Sequence, residues 1–163
     1  YRTKERRPKN IGEFQEALGI PEIVKSGNDL TIVSYGSTFN LCELAEKELA
    51  ELNISVELID IQTLLPFDIK HLISKSIKKT NRLLIVDEDV SSGATAYILD
   101  KVLVEQKGYY HLDSAPETIS AKDHRPAYGS DGDYFSKPSV DDIIEKAYDI
   151  MHEVNPKDYP SIY

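Results

Sequence analysis

The side chains able to do chemistry gather in a few short runs. Asp87, Glu88 and Asp89 are consecutive and follow the apolar stretch Leu83-Leu84-Ile85-Val86. Ser91, Ser92, Gly93 and Ala94 come next and open a helical pattern carried on by Tyr97, Ile98 and Leu103. Carboxylates in a row suggest a cation site, yet neighbours on an extended chain point to opposite sides, so at most two of the three can share an ion. Asp131 and Asp133 flank Gly132 as at the start of a calcium loop, but the later bidentate glutamate is missing. Both groups read as turns. Gly36-Ser37-Thr38 and Ser92-Gly93-Ala94 each place hydroxyls at a helix start, which suits an anion. Neither has a Gly-x-Gly-x-x-Gly or a Walker lysine beside it, so tight turning is the simpler reading. No Gly-x-Ser-x-Gly occurs. Of His71, His111, His124 and His152, only His124 lies in a loop rich in polar groups, and the sequence offers it no partner. Cys42, the single cysteine, sits in a helical pattern and reads as a buried, inert thiol.

The elements that must position these residues are legible as periodicities. Asp29 to Tyr35 and Ile54 to Ile61 are strands by β-branched content, and Leu83 to Val86 is an apolar run of the kind buried on both faces. Between the first two, Leu41, Leu44, Ala45, Leu49 and Leu52 give helical spacing, with Ser37 or Thr38 as cap and Asn53 as a left-handed stop. A second helix is capped by Asp68 and carries Ile69, Leu72, Ile73, Ser76 and Ile77 on one face. Lys107-Gly108 ends the third. Glu117 to Ala121 is a short strand, and Ser139 caps a last helix through Val140, Ile143, Ile144, Ala147, Ile150 and Met151. Gly19 to Val24 suits an edge strand, with Pro21 where a missing N–H does least harm. Residues 1–18 form an arm anchored by Phe14 and Leu18, 19–154 the domain, and 155–163 a tail. The order β-β-α-β-α-β-α-β-α predicts an α/β fold: a three-layer α/β/α sandwich on a mostly parallel sheet of about five strands, with an antiparallel edge strand. The loop from Lys122 to Pro138 is long enough to be functional or interfacial.

Composition excludes several classes. The 163 residues suit one domain with a full core. No apolar run reaches membrane-spanning length and no secretory signal is visible, so a cytoplasmic setting is expected. The net charge is -9, with no concentrated basic surface for nucleic acid; an acidic body favours a basic partner. Leu84-Ile-Val-Asp-Glu-Asp89 is similar to the acidic corner of a receiver domain, but two strands precede it where none should. A stand-alone small-molecule-binding domain is the other alternative.

Three segments carry a more specific likeness. Asp29-Leu-Thr-Ile-Val-Ser-Tyr-Gly-Ser37, Val56-Glu-Leu-Ile-Asp-Ile-Gln-Thr-Leu-Leu-Pro-Phe-Asp68 and Arg82-Leu-Leu-Ile-Val-Asp-Glu88 resemble, in order, the C-terminal domain of transketolase-like enzymes. The likeness is nearest to the beta subunit of the 2-oxo acid dehydrogenase decarboxylase component, and Ala127 to Pro138 resembles its alpha/beta fused forms. The resemblance implies an accessory domain without catalytic residues of its own. Thiamine pyrophosphate and magnesium would lie between two other domains of the whole enzyme. That enzyme would decarboxylate a 2-oxo acid, of pyruvate or branched-chain type, and acylate a lipoyl group. The domain would serve assembly, as a homodimer or heterotetramer, and docking to the acyltransferase core with its peripheral-subunit-binding and lipoyl domains. Family position puts Asp87, Glu88, Ser91, Ser92, Gly93 and Ala94 at a domain or subunit interface, and Asp123, His124 and Arg125 in a docking loop. Where the family has two glycines after the central strand, this chain has Ser92-Gly93.

Overall fold

The computed structural model describes residues 4, 7, 9–125, 132 and 135–161. The expected Asp131–Asp133 turn and most of the run from Ala127 to Pro138 lie outside these residues. Five strands form one sheet: β1 (Glu22–Lys25), β2 (Leu30–Ser34), β3 (Val56–Asp60), β4 (Leu83–Val86) and β5 (Glu117–Ile119). Their spatial order is β1-β3-β2-β4-β5, with β1 antiparallel to β3 and the other pairs parallel. The α/β sandwich and its antiparallel edge are as the sequence predicts.

Alternation along the central strands builds two cores. Leu30, Ile32, Leu58, Leu84 and Val86 face one layer, made by α1 (Gly36–Glu51) and α4 (Val140–Val154). Val33, Ile59, Leu83 and Ile85 face the other, made by α2 (Leu72–Thr80) and α3 (Ala94–Leu99). Every residue of β2 and β4 is buried, which is why β4 reads as a continuous apolar run; β2 also buries the polar Thr31 and Ser34. α4 starts as its sequence predicts. Ser139 Oγ accepts from the Asp142 N–H at 3.1 Å while the Asp142 carboxylate accepts from the Ser139 N–H at 2.8 Å.

Other details differ from the sequence reading. The buried stripe of α1 is Thr38, Phe39, Cys42, Ala45 and Leu49, whereas Leu44 and Leu52 are exposed. The leucine spacing allowed two frames, and the one holding Phe39 and Cys42 fills the sheet layer. Neither Ser37 nor Thr38 caps α1. Phe14 and Leu18 are not anchors: both are exposed, at 62% and 71%. Ile69 is exposed and precedes α2. α3 is short and continues as a π-helical turn from Asp100 to Glu105, which keeps Ile98 and Val102 buried while Leu103 is only half-buried. Residues beyond α4 turn back: His152 Nδ1 meets Tyr159 O at 2.6 Å, and the Tyr159 hydroxyl donates to Asn53 O at 3.1 Å.

Asp68 caps α2 from a distance. It is fully buried, and its two oxygens accept from the N–H groups of Leu72 at 2.7 Å and Ile73 at 2.9 Å. Gln106, just past the π turn, donates Nε2 to the same carboxylate at 3.2 Å. On the strand side, Thr31 of β2 shares hydrogen bonds with Ser76 at 2.6 Å and Thr80 at 2.7 Å, both on α2.

Two substitutions test this packing. Asp68→Asn turns an acceptor into a donor facing other donors and should cost about 2–3 kcal/mol in urea unfolding. Gly27 packs on β3, where an added Cβ would lie 2.1 Å from the Val56 carbonyl carbon. Gly27→Ala should therefore lower stability by about 2–3 kcal/mol, read as a lower unfolding midpoint with an unchanged m-value.

Candidate functional site at the strand ends

The carboxyl ends of β2 and β4 lie side by side at the point where the sheet order reverses. The chain leaves β2 for β3 on one side and β4 for β5 on the other. Open α/β sheets leave a crevice at such a point. Tyr35 follows β2, and Asp87 to Asp89 follow β4, so parallel pairing alone brings them together.

Asp87 is 3% exposed and accepts from the Tyr35 hydroxyl, which donates to Oδ2 at 3.0 Å. Burial, the bond to Asp87 and the negative charges of Asp87, Asp89 and Glu88 hold the Tyr35 phenol far above its ordinary value. Tyr35 is thus a fixed donor to Asp87. Glu88 points the other way along the rim. One oxygen accepts from Ser37 Oγ at 2.9 Å and the other pairs with Lys137 Nζ at 3.1 Å. The Ser37 bond holds its carboxyl below the ordinary value; burial opposes this, and Lys137 adds to it. Three loops are latched together here: the β2–α1 turn, the β4–α3 loop and the segment before α4.

Beyond the latch, Val90, Ser91 and Ser92 are exposed, with Val90 at 63%. Ser92 takes a left-handed φ of 62°. Gly93 closes the turn through its N–H to Val90 O at 3.0 Å, and Ala94 begins α3. Asp123, His124 and Arg125 are exposed on the next loop. Ala121 N–H to Asp89 O at 2.9 Å and Lys122 N–H to Ser136 O at 2.9 Å tie that loop to the same rim. His124 Nδ1 meets Arg125 O at 2.9 Å, and its ring lies 5.4 Å from that of Phe135.

The sequence reading named the carboxylates but missed Tyr35, Ser37 and Lys137 as their partners. A signal for Tyr35 existed: a polar aromatic ends the strand that parallel pairing sets beside Asp87. Ser37 was read as a helix cap, and its hydroxyl instead serves Glu88. Cys42 is inert as expected, its thiol pushed up to about 12 by burial. Among the described residues, no three His, Cys, Asp or Glu side chains come together as a metal ion requires. No helix among them is long and apolar enough to cross a membrane.

Residues 19–142 match the model of the transketolase C-terminal domain. The chain belongs to the transketolase C-terminal domain family. Among its curated relatives is the pyruvate dehydrogenase E1 component subunit beta of Mesostigma viride, 34% identical over 93% of this chain and 45% of that protein. The same subunit of Acholeplasma laidlawii is 35% identical over 68% of this chain and 33% of its own length. The mitochondrial 2-oxoisovalerate dehydrogenase subunit beta of Dictyostelium discoideum is 31% identical over 69% and 30%. The chain thus spans less than half the length of these relatives. A solved split-gene transketolase, described as an inactive beta4 tetramer, shares the fold with a TM-score of 0.70 at 20% identity, over 87% of this chain and 44% of its own.

The latch gives a pH signature. The Glu88 carboxyl is held low in the folded state, so its contribution is present above the unfolded carboxylate value, about 4.3, and is lost as pH falls through the folded value. Glu88→Gln should cost about 0.5–1 kcal/mol at neutral pH, since the pair is partly exposed. The difference from the unaltered protein should shrink in salt and vanish in acid, as followed by thermal unfolding across a pH series.

Proposed function

We propose that this chain is the C-terminal accessory domain of a thiamine-dependent 2-oxo acid dehydrogenase. The whole enzyme would decarboxylate a 2-oxo acid and acylate a lipoyl group, and this domain would serve assembly and docking. The observation that carries the reading is the likeness to pyruvate dehydrogenase beta subunits over 93% of the chain. The branched-chain relative keeps both oxo-acid classes within the proposal.

The geometry supports an accessory role. The rim carboxylates are occupied within the domain, Asp87 by Tyr35 and Glu88 by Ser37 and Lys137. Among the described residues no three His, Cys, Asp or Glu side chains gather at one point. In this reading thiamine pyrophosphate and magnesium belong to other parts of the enzyme, and no chemical step runs through this chain. What the rim offers is a latched, shaped surface with Val90, Ser91 and Ser92 outermost. We assign Asp87, Glu88 and Ser91 to Ala94 to contact with another domain or subunit of the same enzyme, in a homodimer or heterotetramer. Asp123, His124 and Arg125 are assigned to docking the acyltransferase core through its basic peripheral-subunit-binding domain. The net charge of -9 suits that partner. A cytoplasmic setting is proposed with it, on the strength of the bacterial relatives.

Two measurements test the reading. The chain alone, given a 2-oxo acid, thiamine pyrophosphate, magnesium and a lipoyl domain, should show no turnover; sustained turnover would refute it. Val90→Asp should leave the thermal unfolding curve in place while weakening association with the thiamine-binding part about tenfold or more by sedimentation velocity. Unchanged association would remove the rim from the interface.

A further inference from the structure

A second surface lies away from the strand-end latch, on the outer side of α2. Between Asp68 and Asp87 the chain carries no carboxylate, in a sequence with 28 of them. The same stretch holds Lys70, Lys75, Lys78, Lys79 and Arg82. The fold uses two of these cations: Lys79 pairs with the buried Glu57, and Arg82 pairs with Asp113 at 2.8 Å. Lys70, Lys75 and Lys78 are exposed, and none has a carboxylate partner among the described residues. Lys75 Nζ donates to Lys70 O at 2.7 Å, which holds its charge beside the backbone of Lys70.

Helix stability alone does not ask for this pattern. Lys75 and Lys78 are three apart, and Lys75 and Lys79 four apart, spacings at which like charges meet on one face and oppose the helix. Lys70 lies just before the first turn, where the helix dipole disfavours a cation. On the π turn, by contrast, Lys101 is paired with Glu105. The inner face of α2 is spent on the core through Ile73, Ser76 and Ile77, so the lysines face outward.

An apolar cluster adjoins the lysines at the start of α2. Leu65 is 78% exposed and Ile69 is 59% exposed. Gly19 packs between Pro66 and Ile69: a Cβ there would lie 2.9 Å from Pro66 Cγ and 3.3 Å from Ile69 Cγ2. Exposed apolar side chains beside three free lysines do not suit a nucleic-acid backbone, which needs a broader basic surface. The net charge of -9 works against an anionic membrane. The chain itself is a poor occupant. Two copies meeting through α2 would set lysine against lysine. In the opposite layer, α1 and α4 carry four and five carboxylates against one lysine each. Meeting that layer of another copy is a head-to-tail contact, open-ended unless a ring closes. A foreign acidic partner has neither limit.

We propose that the outer face of α2 docks an acidic amphipathic segment of another polypeptide. Its carboxylates meet Lys70, Lys75 and Lys78, and its apolar side chains cover Leu65 and Ile69.

The test titrates three probes into the unaltered chain. They are a helical peptide with leucines on one face and glutamates on the other, the same peptide with glutamine for every glutamate, and vesicles of phosphatidylserine and phosphatidylcholine. Backbone amide resonances from Ile69 to Lys79 report where binding occurs. The glutamate peptide should shift these amides, bind about tenfold tighter than the glutamine peptide, and lose that advantage in high salt. Lys70→Glu combined with Lys75→Glu should abolish the preference. The unfolding midpoint of that variant should stay or rise, because Lys70→Glu suits the helix dipole and Lys75→Glu gains opposite charges at Lys78 and Lys79. A lowered midpoint with the preference intact would mark the lysines as structural and overturn the proposal. Equal affinity of the two peptides, shifts confined to other surfaces, or binding to the vesicles in place of the peptide would overturn it as well.

Discussion

A single buried carboxylate sets the relation between two layers of this domain. Asp68 satisfies the first N–H groups of α2 and receives Gln106 from the end of the π turn. Helix ends carry unpaired donors, and burying them without an acceptor is expensive. With Asp68 in place, α2 can start deep against the sheet, where Thr31, Ser76 and Thr80 pin it to β2. The π turn is then held at the height that buries Val102 against Ile77 and Ile98. Beside Asp68, Ile69 N–H closes on Gly19 O at 2.9 Å and ties the loop after β3 to the residues before β1.

β4 was legible because burial on both faces leaves it no polar position, and β2 because the β-branched Thr31, Ile32 and Val33 mark a strand. Leu30 to Ser34 and Leu83 to Val86 could hardly be anything else. Helix faces were less secure. In α1 the leucines at 41, 44 and 52 and the pair Phe39–Cys42 describe stripes that differ by part of a turn, and only the sheet decides between them. The π turn was invisible, since its residues are compatible with an ordinary helix. Phe14 and Leu18 look like anchors in a sequence because they are apolar, yet nothing among the described residues covers them.

At the strand ends, the sequence announced which residues were chemically capable but not that their capacity was already spent. Asp87 and Glu88 stand out in the sequence as an acidic corner at a strand end. Here Tyr35, Ser37 and Lys137 reach them from 52, 51 and 49 residues away along the chain. Such partners follow from strand order rather than from local pattern. Once β2 and β4 are known to be neighbours, Tyr35 and Asp87 must meet.

That strand order also bears on how the chain acquires its form. β2 is the first parallel strand to be made, yet it ends up at the middle of the sheet, with Thr31 beside Leu83. During synthesis it can pair early with β3, through one local crossover. Its other edge must wait about fifty residues for β4, and until then an unpaired hydrophobic ribbon is open to the wrong neighbour. Loop closure over that separation makes the β2–β4 docking the natural slow step. While that edge is bare it exposes apolar strand surface of the kind that favours aggregation.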